Sequence, residues 1–553
     1  MRTILQLIFF TLLSIITLEA NSQINFHWDA RYNGTSSSVD EAKALVTDDS
    51  GYIYVTGYSY NTGSFEDYTT IKYSPGGNQL WAAVYNGPGN GYDQSIAIAV
   101  DRSGNVYVAG YVSGSGSSYD YATVKYNSNG VQQWAAVYNG LGNSIDYAAS
   151  IAVDDTGNVY VTGQSYGGSV TSYDYVTIKY NTAGAQQWIA RFNGTANGND
   201  GATSIYVDST GNIYVTGQSF ESAAASVNYA TVKYNPSGIQ QWVSKYNGPG
   251  NGIDGANTVK ADKVGNVFVT GFSRGSGTLY DYATVKYDSL GIQKWAMRHN
   301  GSANGNDGAS DMVLDDSGNV YVTGYSGISG ITNDYVTIKY DSIGVRKWIG
   351  VYNGPANQND SATSIDIDDQ GNICVTGYST GAATLRDIAT IKYNTAGVQE
   401  WAIRYDGGNG NDVGYSVKFD RIGDVYVTGK SSGNGTFDDL ITLKYSKTSG
   451  INTISTPIDN GFKLFDNYPN PFNPSTKISF NLPKASFVNL SVFDVTGKQI
   501  ETLVNAKLSE GLYEVNFNSS GLSSMLYFYK LWASTPSGEA GDFTQTKKMI
   551  FIK

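Results

Sequence analysis

Gly157-Asn158-Val159-Tyr160-Val161-Thr162-Gly163, with Trp188 following 25 residues later, is the stretch whose reading decides the fold. Between its glycines stand β-branched and aromatic residues, the composition of a short strand held between two turns. Copies begin at Gly51, Gly104, Gly211, Gly265, Gly318, Gly371 and Gly423. Tryptophan recurs at Trp28, Trp81, Trp134, Trp242, Trp295, Trp348 and Trp401, in steps of 53 or 54 residues. Two independent markers, each present eight times, identify a repeat architecture.

One repeat reads as four strands: Ala148 to Val153, Asn158 to Gly163, Tyr175 to Tyr180 and Gln186 to Phe192. The turns Asp154 to Gly157 and Asn181 to Gly184 and a Gly/Ser-rich loop separate them. A four-stranded unit of about 50 residues is the size of a propeller blade. The phase of the repeat bears on closure. Phe26 to Gly34 is a lone fourth strand, whereas Val413 to Tyr445 holds three strands without a fourth. Laying the first fragment on the last sheet closes a ring and removes the sheet edges that invite aggregation. The expected fold is therefore all-β: an eight-bladed β-propeller over residues 23–446, closed by the N-terminal strand.

Asp174 to Lys179, Trp188, Asp200 and Gly211 to Gly217 follow the order of the SBBP β-propeller repeat family. The sequence resembles that family over essentially all of residues 24–446. The resemblance implies a fold and carries no activity.

Composition narrows the function classes. A net charge of −12 without any basic run excludes a nucleic-acid surface. Cys374 is the only cysteine, so no intrachain disulfide can form; it replaces a strand Tyr or Phe and reads as a packed hydrophobe. Arg2, the apolar run Ile4 to Leu18 and Ala20-Asn21-Ser22 read as a secretory signal over residues 1–22. A membrane anchor is the other reading, but the run is shorter than the roughly 20 residues that span a bilayer. No transmembrane segment is expected after signal cleavage.

Beyond the repeats, residues 447–462 are polar and read as a linker. Residues 463–553 then show alternating strands and read as a small Ig-like β-sandwich. Asn467-Tyr468-Pro469-Asn470-Pro471-Phe472-Asn473-Pro474, the strand opened by Gly511, and Lys547, Lys548 and Lys553 near the end resemble the type A C-terminal sorting domain of the type IX secretion system. Met525 stands where that family has Gly. The resemblance implies recognition by the secretion machinery, passage across the outer membrane, and release or anchoring at the cell surface of a Gram-negative bacterium.

Catalytic signatures are sparse. His27 and His299 are the only histidines, both on fourth strands, and read as packing variants. No zinc, nucleophile-elbow or phosphate-loop spacing occurs. Two aspartate series repeat. Asp48 and its counterparts precede a turn glycine by three residues and read as acceptors for turn amides. Asp40, Asp93, Asp146, Asp200, Asp254, Asp307, Asp360 and Asp412 open the first strands. If those strands line the channel, this second series encircles one mouth and is the candidate site for a cation, Ca²⁺ fitting its oxygen ligands; amide bonding or pairing with a neighbouring blade is the alternative. No other cofactor is expected. Asp120 and Lys125 recur on third strands, and any ion pair they make is expected to run between blades.

The loops between second and third strands differ most among repeats, so recognition is expected there and at the channel mouths. The expected function is an exported, non-enzymatic binding or scaffold module for an extracellular protein or glycan. The alternative is an enzyme on the same scaffold, quinoprotein-like or polysaccharide-active.

Overall fold

The structure, a computed structural model, describes residues 24–36, 38–222, 226–329, 332–382, 384–408, 410–433, 437–447, 452–455, 461–519, 522–534 and 543–552. The expected signal segment 1–22 and Lys553 lie outside them. The described residues contain strands and turns and no helix. Two compact units form, Trp28–Tyr445 and a second that includes Ser446–Lys553.

Within the first unit, eight four-stranded antiparallel sheets follow one another along the chain. Sheet 1 runs Glu41–Thr47, Ile53–Tyr60, Glu66–Tyr73 and Gln79–Tyr85, and sheets 2 to 7 repeat that meander. Sheet 8 is assembled from both ends: Val413–Phe419, Val425–Ser432 and Asp438–Lys447 are joined on their open edge by Ile24–Tyr32. First strands are innermost, each packed on the first strands of the two neighbouring sheets, and that of sheet 1 packs on sheet 8. A bulge recurs in every first strand, as between Ala42 and Ala44.

Neighbouring sheets are locked by one repeated clasp. The Trp81 indole lies between Tyr54 of its own sheet and Tyr126 of the next, at 6.3 Å from each. Its N–H donates to the Ser128 carbonyl of sheet 2 at 3.1 Å, and the Lys72 ammonium reaches the same oxygen at 3.4 Å. Gly130, in the receiving turn, has φ +79°; a Cβ there would stand 2.6 Å from the Trp81 ring. Only glycine meets both demands. The indole bond recurs from Trp134 to Thr182, Trp188 to Pro236, Trp242 to Ser289, Trp295 to Ser342 and Trp348 to Thr395. Trp28 and Lys444 both donate to Pro75 at 3.2 Å, carrying the clasp from sheet 8 to sheet 1.

Two further belts reinforce it. Third-strand tyrosine hydroxyls bond a carbonyl of the next sheet, as from Tyr175 to Ala230 at 3.2 Å. On the channel wall, first-strand hydroxyls accept the next first strand's amide, as from Ile205 to Ser150 at 3.3 Å. The turn aspartates behave as read: Asp154 accepts the Thr156 and Asn158 amides and the Tyr160 hydroxyl.

The second unit pairs two four-stranded sheets around one core that includes Phe472, Phe480, Leu490, Phe517 and Tyr529. Within the stretch read as linker, Asn452–Ser455 forms a strand beside Gly511–Asn518. Its backbone completes a sheet edge without any hydrophobic alternation of its own, which is why the sequence pattern is silent there.

The clasp is testable by removing only its donor. Trp134→Phe should lower unfolding stability by about 1–2 kcal/mol beyond the loss of ring size. The Trp401 N–H has no hydrogen-bond partner among the described residues, so Trp401→Phe should be about 1 kcal/mol less damaging in denaturant titration. Equal losses would remove the indole bond from the account.

Candidate functional site

The ring has a turn face and a loop face. The loop face carries the segments between second and third strands and those entering each first strand. There the series Asp40 to Asp412 is buried and bonded to its own loops. Asp93 accepts the Gly87 amide at 2.5 Å and the Ser113 amide at 2.7 Å. Asp40, Asp200, Asp254, Asp307, Asp360 and Asp412 each hold the same two kinds of amide, as from Gly194 and Phe220 to Asp200. Asp146 holds Gly140 at 2.6 Å and Tyr166 at 3.1 Å. Burial raises the carboxyls of Asp40 and Asp93 to about 6, against the pull of these bonds. Among the described residues one group of carboxylates brings three ligand atoms within 4.8 Å: Asp387, Asp406 and Asp412. It contains a single member of the series, and Arg404 already pairs with Asp387.

The third-strand aspartates depart from expectation. Their ion pairs lie within a sheet, to arginine on the fourth strand: Arg191 to Asp174 at 2.8 Å and Arg298 to Asp281 at 2.7 Å, with Arg404 to Asp387 and Arg31 to Asp439 completing the set. Lys72, Lys125, Lys179, Lys286 and Lys444 reach instead across to the next sheet's turn carbonyl, while Lys392 pairs with Glu400 and Lys444 also with Asp424 inside their own sheets. A five-residue spacing puts Asp and Lys on opposite faces of the strand, and a fourth-strand arginine beside the Asp satisfies it locally.

This repeated pocket is filled differently around the ring. Sheet 1 lacks the arginine, and Asn61 donates instead to Ser59 and Asp67. In sheet 6 the fourth-strand position is Val351, opposite Val336. Hydroxyls three residues before the Asp, such as Thr171 and Thr278, cap it elsewhere; the sequence has Ile331 there. Burial, then the Asp360 charge, raises Asp334 to about 6. His299 approaches Ser326 of this sheet at 3.5 Å and packs edge-on against Tyr282. His27 bonds Ser446 at 2.9 Å. Cys374 is buried, and burial pushes its thiol up.

The loop face breaks the symmetry most strongly over sheets 1 to 3. Phe65 lies 5.0 Å from Tyr92, and both are more than two-fifths exposed. Tyr60 packs edge-on against Phe65, while Tyr111 sits between Tyr119 at 5.2 Å and Tyr147 at 4.7 Å. Tyr166 and Tyr173 extend the row. At the position of Tyr119 the sequence has Val227, Asn333 and Asp438 in sheets 4, 6 and 8; at that of Tyr92 it has Asn199, Asn306 and Asn411. A smaller group, Phe272 with Tyr280 and Arg274, stands on sheet 5.

Two carboxylates adjoin the aromatic row. Glu66 accepts from the Gln94 amide, and burial raises its pKa. Burial also acts to raise Glu41, but its ion pairs with Lys43 and Lys430 outweigh that and leave its pKa lowered. Lys430 also pairs with Asp438 at 2.8 Å. The aromatic row is the feature that sequence reasoning missed. Its residues come from three repeats, and each alone looks like another core tyrosine.

The sorting motif is largely structural. Asn467 donates to Thr476 at 2.9 Å and to the Pro469 carbonyl at 3.1 Å, and its amide bonds the Tyr529 hydroxyl. Phe472 is buried between Phe517 and Phe551. The bonds Tyr468-Pro469, Asn470-Pro471 and Asn473-Pro474 are cis. Asn470 accepts the Ile550 amide, and Lys547 pairs with Asp466 at 2.6 Å. Tyr468 and Lys548 are exposed.

The raised carboxyls set a pH dependence. Asp40, Asp93 and Asp334 have folded pKa values near 6, above their unfolded values. The native state therefore binds more protons between about pH 4 and about pH 6, and stability falls as pH rises through that window. Thermal midpoints should be higher near pH 5 than near pH 7.5, and Asp334→Asn should flatten the slope. An unchanged slope would contradict the assignment to Asp334.

Comparison with known proteins agrees with this architecture. Residues 30–66, 133–169 and 187–219 match the SBBP beta-propeller repeat, and residues 466–551 match the secretion system C-terminal sorting domain. An uncharacterised WD repeat-containing protein of Acanthamoeba polyphaga mimivirus is 22% identical over 52% of this chain; the chain spans 24% of that relative's length. Among solved structures, the β-propeller domain of the Trilobed protease from Pyrococcus furiosus aligns over 64% of this chain and 94% of its own, at 9% identity and a TM-score of 0.40. A PL25 ulvan lyase aligns over 62% and 90%, at 12% identity and a TM-score of 0.38. A sorting domain of this kind implies interaction with the secretion machinery and directs a protein to secretion or to the outer cell surface. The chain is an exported protein that joins SBBP β-propeller repeats to a secretion-system C-terminal sorting domain.

Proposed function

We infer that the ring is a non-enzymatic binding module whose ligand lies across the loop face of sheets 1 to 3. The observation that carries this reading is the aromatic row from Tyr60 through Tyr147 to Tyr173, concentrated where the repeats disagree. The shared residues, Trp, Lys, turn Gly and both Asp series, are occupied in holding the ring, so they supply little for recognition. Partly exposed rings beside hydrogen-bonding Glu66 and Gln94 suit a glycan chain. Such a ligand offers apolar ring faces and hydroxyl edges to the same surface.

A second reading is favoured by one observation. Glu41 and Glu66 stand near one another with pKa values displaced in opposite directions, the condition under which one carboxyl serves as acid and the other as base. A polysaccharide-active enzyme would use this pair at the same surface.

A glycan array probed with the exported chain tests both. A bound glycan should lose about tenfold in affinity with Phe65→Ala or Tyr119→Ala, equivalent to about 1.4 kcal/mol each; unchanged binding in both variants overturns the aromatic assignment. Cleavage of the bound glycan, abolished by Glu66→Gln, would replace the binding reading with the enzymatic one.

A further inference from the structure

The channel wall carries a second asymmetry, towards the turn face and independent of the aromatic row. Two residues before each turn aspartate, the first strands of sheets 1, 2, 3 and 6 present only valine or alanine. Sheets 4, 5, 7 and 8 present Tyr206, Lys260, Asp366 and Lys418.

Asp366 and Lys418 show how this wall accommodates charge. At the same register on adjacent strands they pair at 2.9 Å, and the other Asp366 oxygen accepts the Phe419 amide at 2.8 Å. Asp311 is equally committed. Its Oδ1 accepts the Met312 amide at 2.8 Å and the Thr258 hydroxyl at 3.3 Å; its Oδ2 accepts the Ile365 amide at 3.2 Å and the Ser364 hydroxyl at 3.3 Å.

Lys260 has no such partner. Its neighbours at the same register are Tyr206 and Val313, neither of them anionic. Its ammonium stands 5.9 Å from the Tyr206 ring centroid, and among the described residues it makes no ion pair or hydrogen bond. Neither does the Tyr206 hydroxyl donate to any described residue. Burial, reinforced by Lys418, holds the Lys260 pKa below the ordinary lysine value although Asp311 and Asp366 pull the other way. The ammonium stands half-buried on the channel wall with no counter-ion in contact, whereas Lys418 and Lys430 each hold one.

We propose that Lys260 and Tyr206 form a subsite in the channel for the carboxylate of a small ligand. The ammonium and the hydroxyl are two donors on neighbouring strands, matching the two oxygens of one carboxylate. Ala152 and Val313 flank them and receive the apolar part of the ligand. The site takes a single anionic group because Asp311, Asp366 and Lys418 are already satisfied. The carboxylate belongs either to a free small acid or to the end of an acidic polysaccharide.

Selective reductive methylation of the full exported chain, read by mass spectrometry at the Lys260 peptide, provides the test. D-galacturonate is the free acid, oligogalacturonate the polymer end, and D-galactose the uncharged control. Lys260 should be modified at least about tenfold more slowly with D-galacturonate than with D-galactose, following the occupancy relation between free and bound site. Protection by oligogalacturonate alone would assign the polymer end as the source. Equal modification with all three probes overturns the proposal. Calorimetric titration gives a second readout: Lys260→Met should abolish binding of the protecting acid and Lys260→Arg should retain it, whereas retention by Lys260→Met overturns the site.

Discussion

Everything in the ring depends on one inter-sheet contact, the tryptophan of one sheet seated on the turn glycine of the next. The contact joins dispersion, a hydrogen bond and a steric requirement at a single place. The indole packs between two tyrosines, its N–H finds the turn carbonyl, and the lysine from the same sheet reaches that same oxygen. One repeat of a stacked array cannot bury its hydrophobic faces alone and relies on its neighbours to cover them. The clasp makes each sheet the wall of the next, so stability is shared around the circuit. In a chain with one cysteine, closing that circuit supplies the constraint that disulfides give other exported proteins.

The closing sheet shows what the constraint demands. Its fourth strand comes from the other end of the chain, so Trp28 and Lys444 reach Pro75 together although they are distant in sequence. Arg31 on that borrowed strand bonds the Ser431 carbonyl at 2.9 Å and pairs with Asp439. Trp401, facing sheet 8, is the member of the series whose indole N–H lacks a hydrogen-bond partner among the described residues. Its ring still packs on Tyr445 of sheet 8, with centroids 6.0 Å apart.

The arrangement of strands was legible because tryptophan, glycine and the Val-Tyr-Val core recur at one step, and strand alternation then assigns faces. The turn aspartates were legible for the same reason, since a carboxylate three residues before a left-handed glycine has a local role. Contacts between elements were harder to read. Asp174 meets Arg191 through strand pairing, and the sequence alone did not say that a fourth-strand arginine would lie beside it. The aromatic row was hidden more deeply. Tyr119 and Tyr121 are two residues apart and chemically identical, yet only Tyr121 is buried in the core. Lys260 likewise resembles any strand lysine until its register against Tyr206 and Val313 is known. Symmetry thus explains the scaffold, and departures from symmetry mark the places where a ligand can be recognised.

Native-state hydrogen exchange on the exported chain tests the closed circuit most directly. If Ile24–Tyr32 completes sheet 8, the amides of Trp28 to Tyr32 should be protected as strongly as those of Gln399–Tyr405, the fourth strand of sheet 7. Exchange of the N-terminal strand at unfolded rates, with sheet 7 still protected, would contradict closure and with it the shared stability of the ring.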